Sequence, residues 1–374
     1  MLQAEYSTSD CGPSRRSIEG NLVPASSVIF FSIGLPSYFT EWCDMVTTRL
    51  VQRALGPVEA AGADTIEQFA LAVIKARSPY LVVWSRQTIG HLWEALAQAS
   101  QGIIVVVDDP RVALENLVVK HGIDFVEATR VVAKSCAAVM SATSMPGALV
   151  LRASADDARP VATADAIVRH FGFAVSDSDL ANILADLDDR WPGRPQETVW
   201  WDSLNDSERV LATGALEPYV GCLAGGDLLP ITWGRELFFI NEEQHEEPRQ
   251  PASRAADITG RPRYIVHGPY ITLPAGSWSA TVALGFSEGA AELSYIVDVH
   301  AQAQLSHVRI EPAKQRFVEA NLNFSITEPH MITIGVYIER AAFDGRLALG
   351  HVIVTPHARP RPETHKYFAT ALSA

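Results

Sequence analysis

The chain has 374 residues, 48% hydrophobic and 20% charged, with 30 Lys and Arg against 43 Asp and Glu for a net charge of -13. This length exceeds one domain of roughly 100 to 200 residues, and the composition is that of a folded chain rather than a disordered one. The acidic balance argues against a nucleic-acid backbone or an anionic membrane surface as the main partner.

Residues Met1 to Asn21 are polar, and Arg15 and Arg16 are not followed by an apolar core, so 1–21 reads as a flexible tail. No run approaches the roughly 18 apolar residues of a spanning helix. Cys11, Cys43, Cys136 and Cys222 are far apart and show no CxxC spacing. Free thiols, a cytoplasmic location and no membrane insertion are expected.

From residue 22 to 240, short apolar runs alternate with helical patterns, the signature of an α/β unit with a parallel sheet and flanking helices. Strands are expected at Val28–Ile33, Tyr80–Trp84, Ile103–Val107 and Ala148–Leu151, each nearly continuous in apolar residues as strands buried on both faces are. Helices are expected at Thr40–Leu55, Thr65–Arg77, His91–Ala99, Arg111–His121 and Val126–Ser141. Three more follow at Thr163–Phe171, Ser178–Leu187 and Ser207–Leu223 and close the unit as a helical part, with Thr163 and Ser176 or Ser178 as N-cap candidates.

Residues 241–256 are polar and proline-containing, without apolar periodicity, and read as a linker. His245 lies there among Glu242, Glu243, Glu246 and Glu247, a solvated acidic stretch rather than a metal site. From 257 to 374 the pattern changes to strict alternation, which predicts an all-β sandwich or jelly roll beginning near Tyr264. Its strands fall at Trp278–Leu284, Leu293–Val299, Leu305–Ile310, Phe317–Ile326, Met331–Ile338 and Leu347–Val354, punctuated at Pro274–Gly276 and Asp344–Gly345.

A buried strand that ends in glycine and runs into a helix places free amides and the positive end of a helix dipole together, an anion-binding layout. Ser32-Ile33-Gly34-Leu35-Pro36-Ser37-Tyr38-Phe39-Thr40-Glu41-Trp42 has it. This segment resembles the first loop of the sulfotransferase family, with Gly34, Leu35, Pro36, Thr40 and Trp42 in matching places. Val105-Val-Val-Asp-Asp-Pro-Arg-Val-Ala-Leu-Glu-Asn116 is similar to the family's second nucleotide segment. Leu149–Arg152 and His170-Phe-Gly-Phe173 are similar to its next strand and the end of its next helix. The resemblance covers about Val28 to Leu187 and implies a sulfotransferase-like α/β fold.

The same resemblance implies a donor, 3'-phosphoadenosine-5'-phosphosulfate, held through Gly34, Pro36, Ser37, Thr40, Arg111 and Asn116. The departures lie at the charged contacts. Ser37 stands where the family has a cation, Phe39 where it has a glycine, Asp108 where it has an arginine and Asn116 where it has a serine. Arg86 or Arg111 is left to supply charge from a neighbouring position. Glu41 in the first helical turn is the candidate base, with Glu59 and His91 as others. No GxSxG, HExxH, GxxxxGK[ST] or strand-linked GxGxxG occurs.

The segment Tyr264-Ile-Val-His-Gly-Pro-Tyr-Ile-Thr-Leu-Pro-Ala-Gly-Ser-Trp278 resembles the opening of β-sandwich modules in bacterial polysaccharide-related proteins. Sugar binding uses aromatic faces and planar polar groups, types supplied by Tyr270, Trp278, Tyr295 and Asp298. The expectation is a non-catalytic protein, without a cofactor, that recognises a polysaccharide or a protein of its biosynthesis. The alternative is a working sulfotransferase on a carbohydrate acceptor.

Overall fold

The computed structural model describes residues 28–87, 100–153, 159–187, 199–241, 250–251, 255–313 and 316–357. The expected helix His91–Ala99, the tail 1–21 and His245 lie outside these residues.

Five parallel strands make the first sheet: β1 (Val28–Gly34), β2 (Val58–Gly62), β3 (Tyr80–Ser85), β4 (Ser100–Val107) and β5 (Leu149–Arg152), in the order β2-β3-β1-β4-β5. Its helices are α1 (Tyr38–Leu55), α2 (Ile66–Lys75), α3 (Pro110–Glu115), α4 (Phe125–Ala142), α5 (Pro160–Phe171), α6 (Asp177–Ala185), α7 (Val199–Ser203) and α8 (Asp206–Leu223). Alternate residues of β1 feed two cores. Phe30 packs with Trp42, Val46 and Leu50 of α1 and Ile167 of α5. Ile29, Phe31 and Ile33 join Val132 and Cys136 of α4 and Leu211 and Leu216 of α8. Both faces are covered, which is why the strand reads as an unbroken apolar run.

The predicted strands of this sheet are all present, and β2 is an addition. Its Val-Glu-Ala-Ala-Gly sequence has little strand character of its own, and it forms as an edge by parallel pairing with β3. The helix expected over Arg111–His121 is α-helical only as far as Glu115 and widens to a π-helical turn over Asn116–Lys120. Pro160, not Thr163, opens α5, whereas Ser176 does cap α6, accepting from the Asp179 amide.

The remaining strands form two antiparallel sheets. One has the order β13 (Gln304–Ile310), β12 (Tyr295–His300), β15 (His330–Ile338), β10 (Arg263–Leu273), β7 (Phe239–Ile240), β8 (Gln250–Pro251). The other has the order β14 (Phe317–Ile326), β11 (Gly276–Phe286), β16 (Arg346–Pro356), β6 (Ile231–Gly234), with β9 (Ala256–Asp257) also paired to β16. Inward residues alternate as the sequence predicts: Ala280, Val282 and Leu284 on β11, Leu322 and Phe324 on β14, Ile332, Ile334 and Val336 on β15.

Two of these strands precede the expected linker. In β6, Trp233 pairs with Val352 and Ile231 with Val354 of β16; in β7, Ile240 pairs with Val266 of β10. The segment after α8 therefore supplies strands to both sheets, and the core behind β1 runs without a break through α4 and α8 into the sandwich.

Arg130 of α4 fastens this junction. Strand β7 pairs with β10 only at Val266 and His267, so the carbonyls beyond lie on a bare edge. The Arg130 guanidinium donates from Nε to Pro269 O at 2.8 Å and from Nη2 to Leu237 O at 2.8 Å, and sits 5.0 Å from the Phe239 ring centroid. Nothing but glycine fits next to it at position 268, where φ is +144° and a Cβ would lie 2.9 Å from Leu237 O. Replacing Arg130 by Ala strands two carbonyls that a charged donor now satisfies, and is expected to cost on the order of 3 kcal/mol. Urea denaturation measures this, and a loss indistinguishable from that of an exposed Arg→Ala control would contradict it.

Candidate functional site

In an open parallel sheet, ligands bind outside the carboxyl ends of the strands where the chain order reverses. Here that point lies between β1 and β4, since the chain runs outward from β1 to one edge and returns through β4 to the other. Gly34 pairs with Val106 at this end, so the loop after β1 and Asp108 after β4 share one crevice.

The loop is built tightly. A Cβ at Gly34 would lie 2.5 Å from Thr40 Cγ2 and 2.9 Å from Val106 Cβ, so the turn admits only glycine. Ser37 is the N-cap of α1: its Oγ accepts from the Thr40 amide at 3.3 Å and lies 3.1 Å from Thr40 Oγ1, both residues being buried. Asn116, fully buried on the π-helical turn, donates from Nδ2 to Pro36 O at 3.0 Å and to Glu41 Oε1 at 3.2 Å. It braces the loop through these bonds.

Glu41 is the hub of a second cluster. Besides Asn116 it is bonded to Lys120, and its Oε1 lies 3.3 Å from His121 Nε2. Burial pushes its pKa up, but hydrogen bonds from Lys120, Asn116 and His121 outweigh that and hold it below the usual value. A carboxylate so held is a poor proton acceptor. Glu59 serves the backbone, accepting from the Arg77 and Ser78 amides at 2.7 and 2.9 Å. His91 lies outside the described residues.

Asp108 decides the character of the crevice. Its Oδ1 accepts from the Asp109 amide at 2.8 Å, and the nearby Ser37 side chain favours its charged form. Burial nevertheless pushes its pKa up to about 6. The charge at neutral pH therefore sits beside the loop that an anion would occupy. Arg111 and Arg86 do not offset it there. Arg111 grips Asp109, with Nε at 3.0 and 3.1 Å from the two carboxylate oxygens, and its guanidinium carbon lies 6.0 Å from the Trp201 ring centroid. Arg86 pairs with Asp44, which also accepts from the Ser32 hydroxyl.

Beside the loop opens a cavity of about 730 Å³ whose walls include Pro36, Glu41, Met45, Trp84, Arg86 and His121. The Asp44–Arg86 pair in its wall escaped the sequence reading, because neither residue belongs to a motif and only the fold brings helix α1 against the end of β3.

The sandwich residues divide. Trp278 and Tyr295 are core: Trp278 is buried with Nε1 donating to Pro274 O at 3.2 Å, and Tyr295 is buried with its hydroxyl donating to Ala290 O at 2.8 Å. Neither offers a ring face to a sugar, a correction to the expectation. Tyr270 is partly exposed at φ +63°, its hydroxyl 2.7 Å from His267 Nδ1 and its ring 5.9 Å from Phe239. Asp298 lies on the outer surface of its sheet, buried beneath neighbouring side chains. The four therefore do not form one site.

No family model and no curated protein matches the sequence. Among solved structures, a mouse sulfotransferase complexed with PAP is similar at 13% identity over 43% of this chain and 63% of its own, with a TM-score of 0.33. A sugar-binding protein, the EclA C-terminal domain, is similar at 18% identity over 31% of this chain and 87% of its own, with a TM-score of 0.21. A further match is TmCBM61 in complex with β-1,4-galactotriose, at 11% identity over 34% of this chain and 88% of its own, with a TM-score of 0.23. At these values the likenesses carry no argument about function. The fold class rests on the strands themselves: a parallel α/β sheet followed by antiparallel sheets.

The Asp108 environment makes a pH-dependent prediction. A folded-state pKa of about 6 against the ordinary 3.8 means that its contribution to stability is complete below about pH 3.8 and lost as the pH rises through 6. Asp108→Asn is therefore expected to stabilise the protein at pH 7.5 by up to about 3 kcal/mol, with little gain below pH 4. Melting curves at both pH values test this, and an equal effect at the two would refute it.

Proposed function

We propose that this chain is a non-catalytic, carbohydrate-recognising protein that keeps a sulfotransferase-like frame without using a sulfo donor. Its partner is a polysaccharide or a protein of polysaccharide biosynthesis, and its location is cytoplasmic. The observation that carries this reading is the Asp108 carboxyl beside the loop at the switch point of the sheet, its pKa raised by burial to about 6.

The donor implied by the sequence resemblance is a polyanion. A unit charge about 4 Å from Asp108 meets about 4 kcal/mol of repulsion at an effective dielectric constant of about 20. Binding such a donor requires cations to reverse that sign, and Arg86, Arg111 and Lys120 are each bound to a carboxylate. A protonated Asp108 removes the repulsion but adds no attraction. Among the described residues, those at the loop and Asp108 do not fit the donor, and Arg49 in the cavity wall is bonded to Gln52. The brace from Asn116 to Pro36 and Glu41 supports the reading further, since it ties the loop to the π-helical turn.

The function left to the α/β unit is structural and recognitive. It supplies strands β6 and β7 and the Arg130 clamp to the sandwich, and it holds the cavity beside Pro36, lined by both apolar and charged side chains.

Titration of the full chain with adenosine 3',5'-bisphosphate, read by thermal shift, is expected to give no saturable stabilisation. A site with micromolar affinity would add about 2.7 kcal/mol at a ligand concentration one hundred times its Kd. A saturable rise of that size would overturn the lost-donor reading and favour an active sulfotransferase on a carbohydrate acceptor.

A further inference from the structure

The outer face of the sheet β10-β15-β12-β13 holds a cluster that none of the roles above uses. Cross-strand register sets out its rows. Tyr264 of β10 pairs with Tyr337 of β15, Tyr337 with Ile296 of β12, and Ile296 with Arg309 of β13. In the next row His267, Gly335, Asp298 and His307 stand side by side, and in the third Thr333 pairs with His300. These residues are out of phase with Val297, Val299, Ile334 and Val336, which fill the core. Four strands and the four-residue span from Ile296 to His300 make a surface of about 14 by 13 Å.

Gly335 gives this surface its shape. A Cβ there would lie 2.5 Å from Asp298 Oδ1 and 2.6 Å from Tyr264 Cε1, so both side chains lie down over the glycine. The Tyr264 hydroxyl donates to Asp298 Oδ2 at 2.8 Å, and His300 Nε2 lies 3.0 Å from the same oxygen. Asp298 Oδ1 and His300 Nε2 are both buried and have no hydrogen-bond partner, so the imidazole is near the carboxylate without being bonded to it. The Tyr264 and Tyr337 rings meet edge to face, with centroids 5.2 Å apart, and Tyr264 is 39% exposed. Burial and the Asp298 contact push the Tyr264 phenol up to about 12, so it stays protonated and bonded.

Leaving a buried carboxylate oxygen unpaired is costly. Its compensation here is the fixed placement of one neighbour at the surface, the Tyr264 ring. Rings at an exposed face bind the apolar face of a pyranose, and a fixed phenol oxygen binds its hydroxyls. A carboxylate directly beneath them repels sulfate, phosphate and uronate groups.

We propose that this face is a binding surface for an uncharged polysaccharide. Tyr264 and Tyr337 are the contacting groups, and Asp298 is a positioning residue that holds Tyr264 in place. The proposal rests on the carbohydrate-recognising reading above and gives it a place and a ligand class.

The test is affinity electrophoresis of the full chain in gels containing xylan, β-1,4-galactan, mixed-linkage β-glucan or dextran, with heparin and polygalacturonate as anionic counterparts. At least one neutral polymer is expected to retard the protein, and Tyr337→Ala and Tyr264→Ala are expected to weaken that retardation by about tenfold or more. Asp298→Asn is expected to weaken binding while leaving the melting temperature equal or higher, a pairing that a purely structural role would not produce. Thr333→Arg, which adds bulk to the face and removes no buried group, guards against misfolded variants and is expected to abolish retardation. Retardation that all four variants leave intact overturns the site but not the carbohydrate reading. Retardation by the anionic polymers alone overturns the ligand class, and none by any polymer overturns the site and the reading together.

Discussion

The junction at Arg130 is the contact on which the two halves of the molecule depend. A sandwich strand whose partner stops after two residues exposes carbonyls that must find donors. Here the donor comes from a helix of the α/β unit, through a planar fork that reaches Pro269 O and Leu237 O together while covering the Phe239 ring. Lysine, a point charge on a flexible stem, has no equivalent geometry. Because strands β6 and β7 leave the same unit to enter both sheets, the clamp fixes an association the backbone has already made unavoidable. The α/β unit is thereby a brace for the sandwich as much as a site in its own right.

A brace has different requirements from a donor-binding enzyme, and the crevice at the end of β1 shows them. The steric requirements of the loop are intact: a glycine at Gly34 against Thr40 and a serine capping α1. The loop's electrostatics are set by Asp108, a carboxyl that burial keeps at a raised pKa beside it. Sterics and charge are therefore set separately in one loop, the first by α1 and β4 and the second by the residue after β4.

Much of this was legible in the sequence, for reasons that differ by element. Strand β14 was read residue for residue, because one face is core and the other solvent, so Val318–Ile326 alternates and only the outward Phe317 breaks the pattern. Strands β6 and β7 were missed because four and two residues carry too little pattern, and their pairing partners lie far along the chain. The phase of alternation held more information than was drawn from it. Trp278 is in phase with Ala280 and Val282, and Tyr295 with Val297 and Val299, which already turns both inward. Tyr337 is out of phase with Ile334 and Val336, and Asp298 with Val297 and Val299, which turns them outward. The burial of Asp108 beside the loop, and the pairing of Asp44 with Arg86, had no such signal, because both depend on how neighbouring elements meet.

The acidic surplus of the chain gains meaning from these placements. A net charge of -13 would be a handicap for any protein that must gather a polyanion, and the two places where a ligand would sit each have a carboxylate at their centre, Asp108 in the crevice and Asp298 on the sheet. A hydroxyl-rich, uncharged ligand is indifferent to that field at long range and takes its affinity from ring faces and short hydrogen bonds. At such a surface a buried carboxylate orients its neighbouring ring through the Tyr264 hydrogen bond.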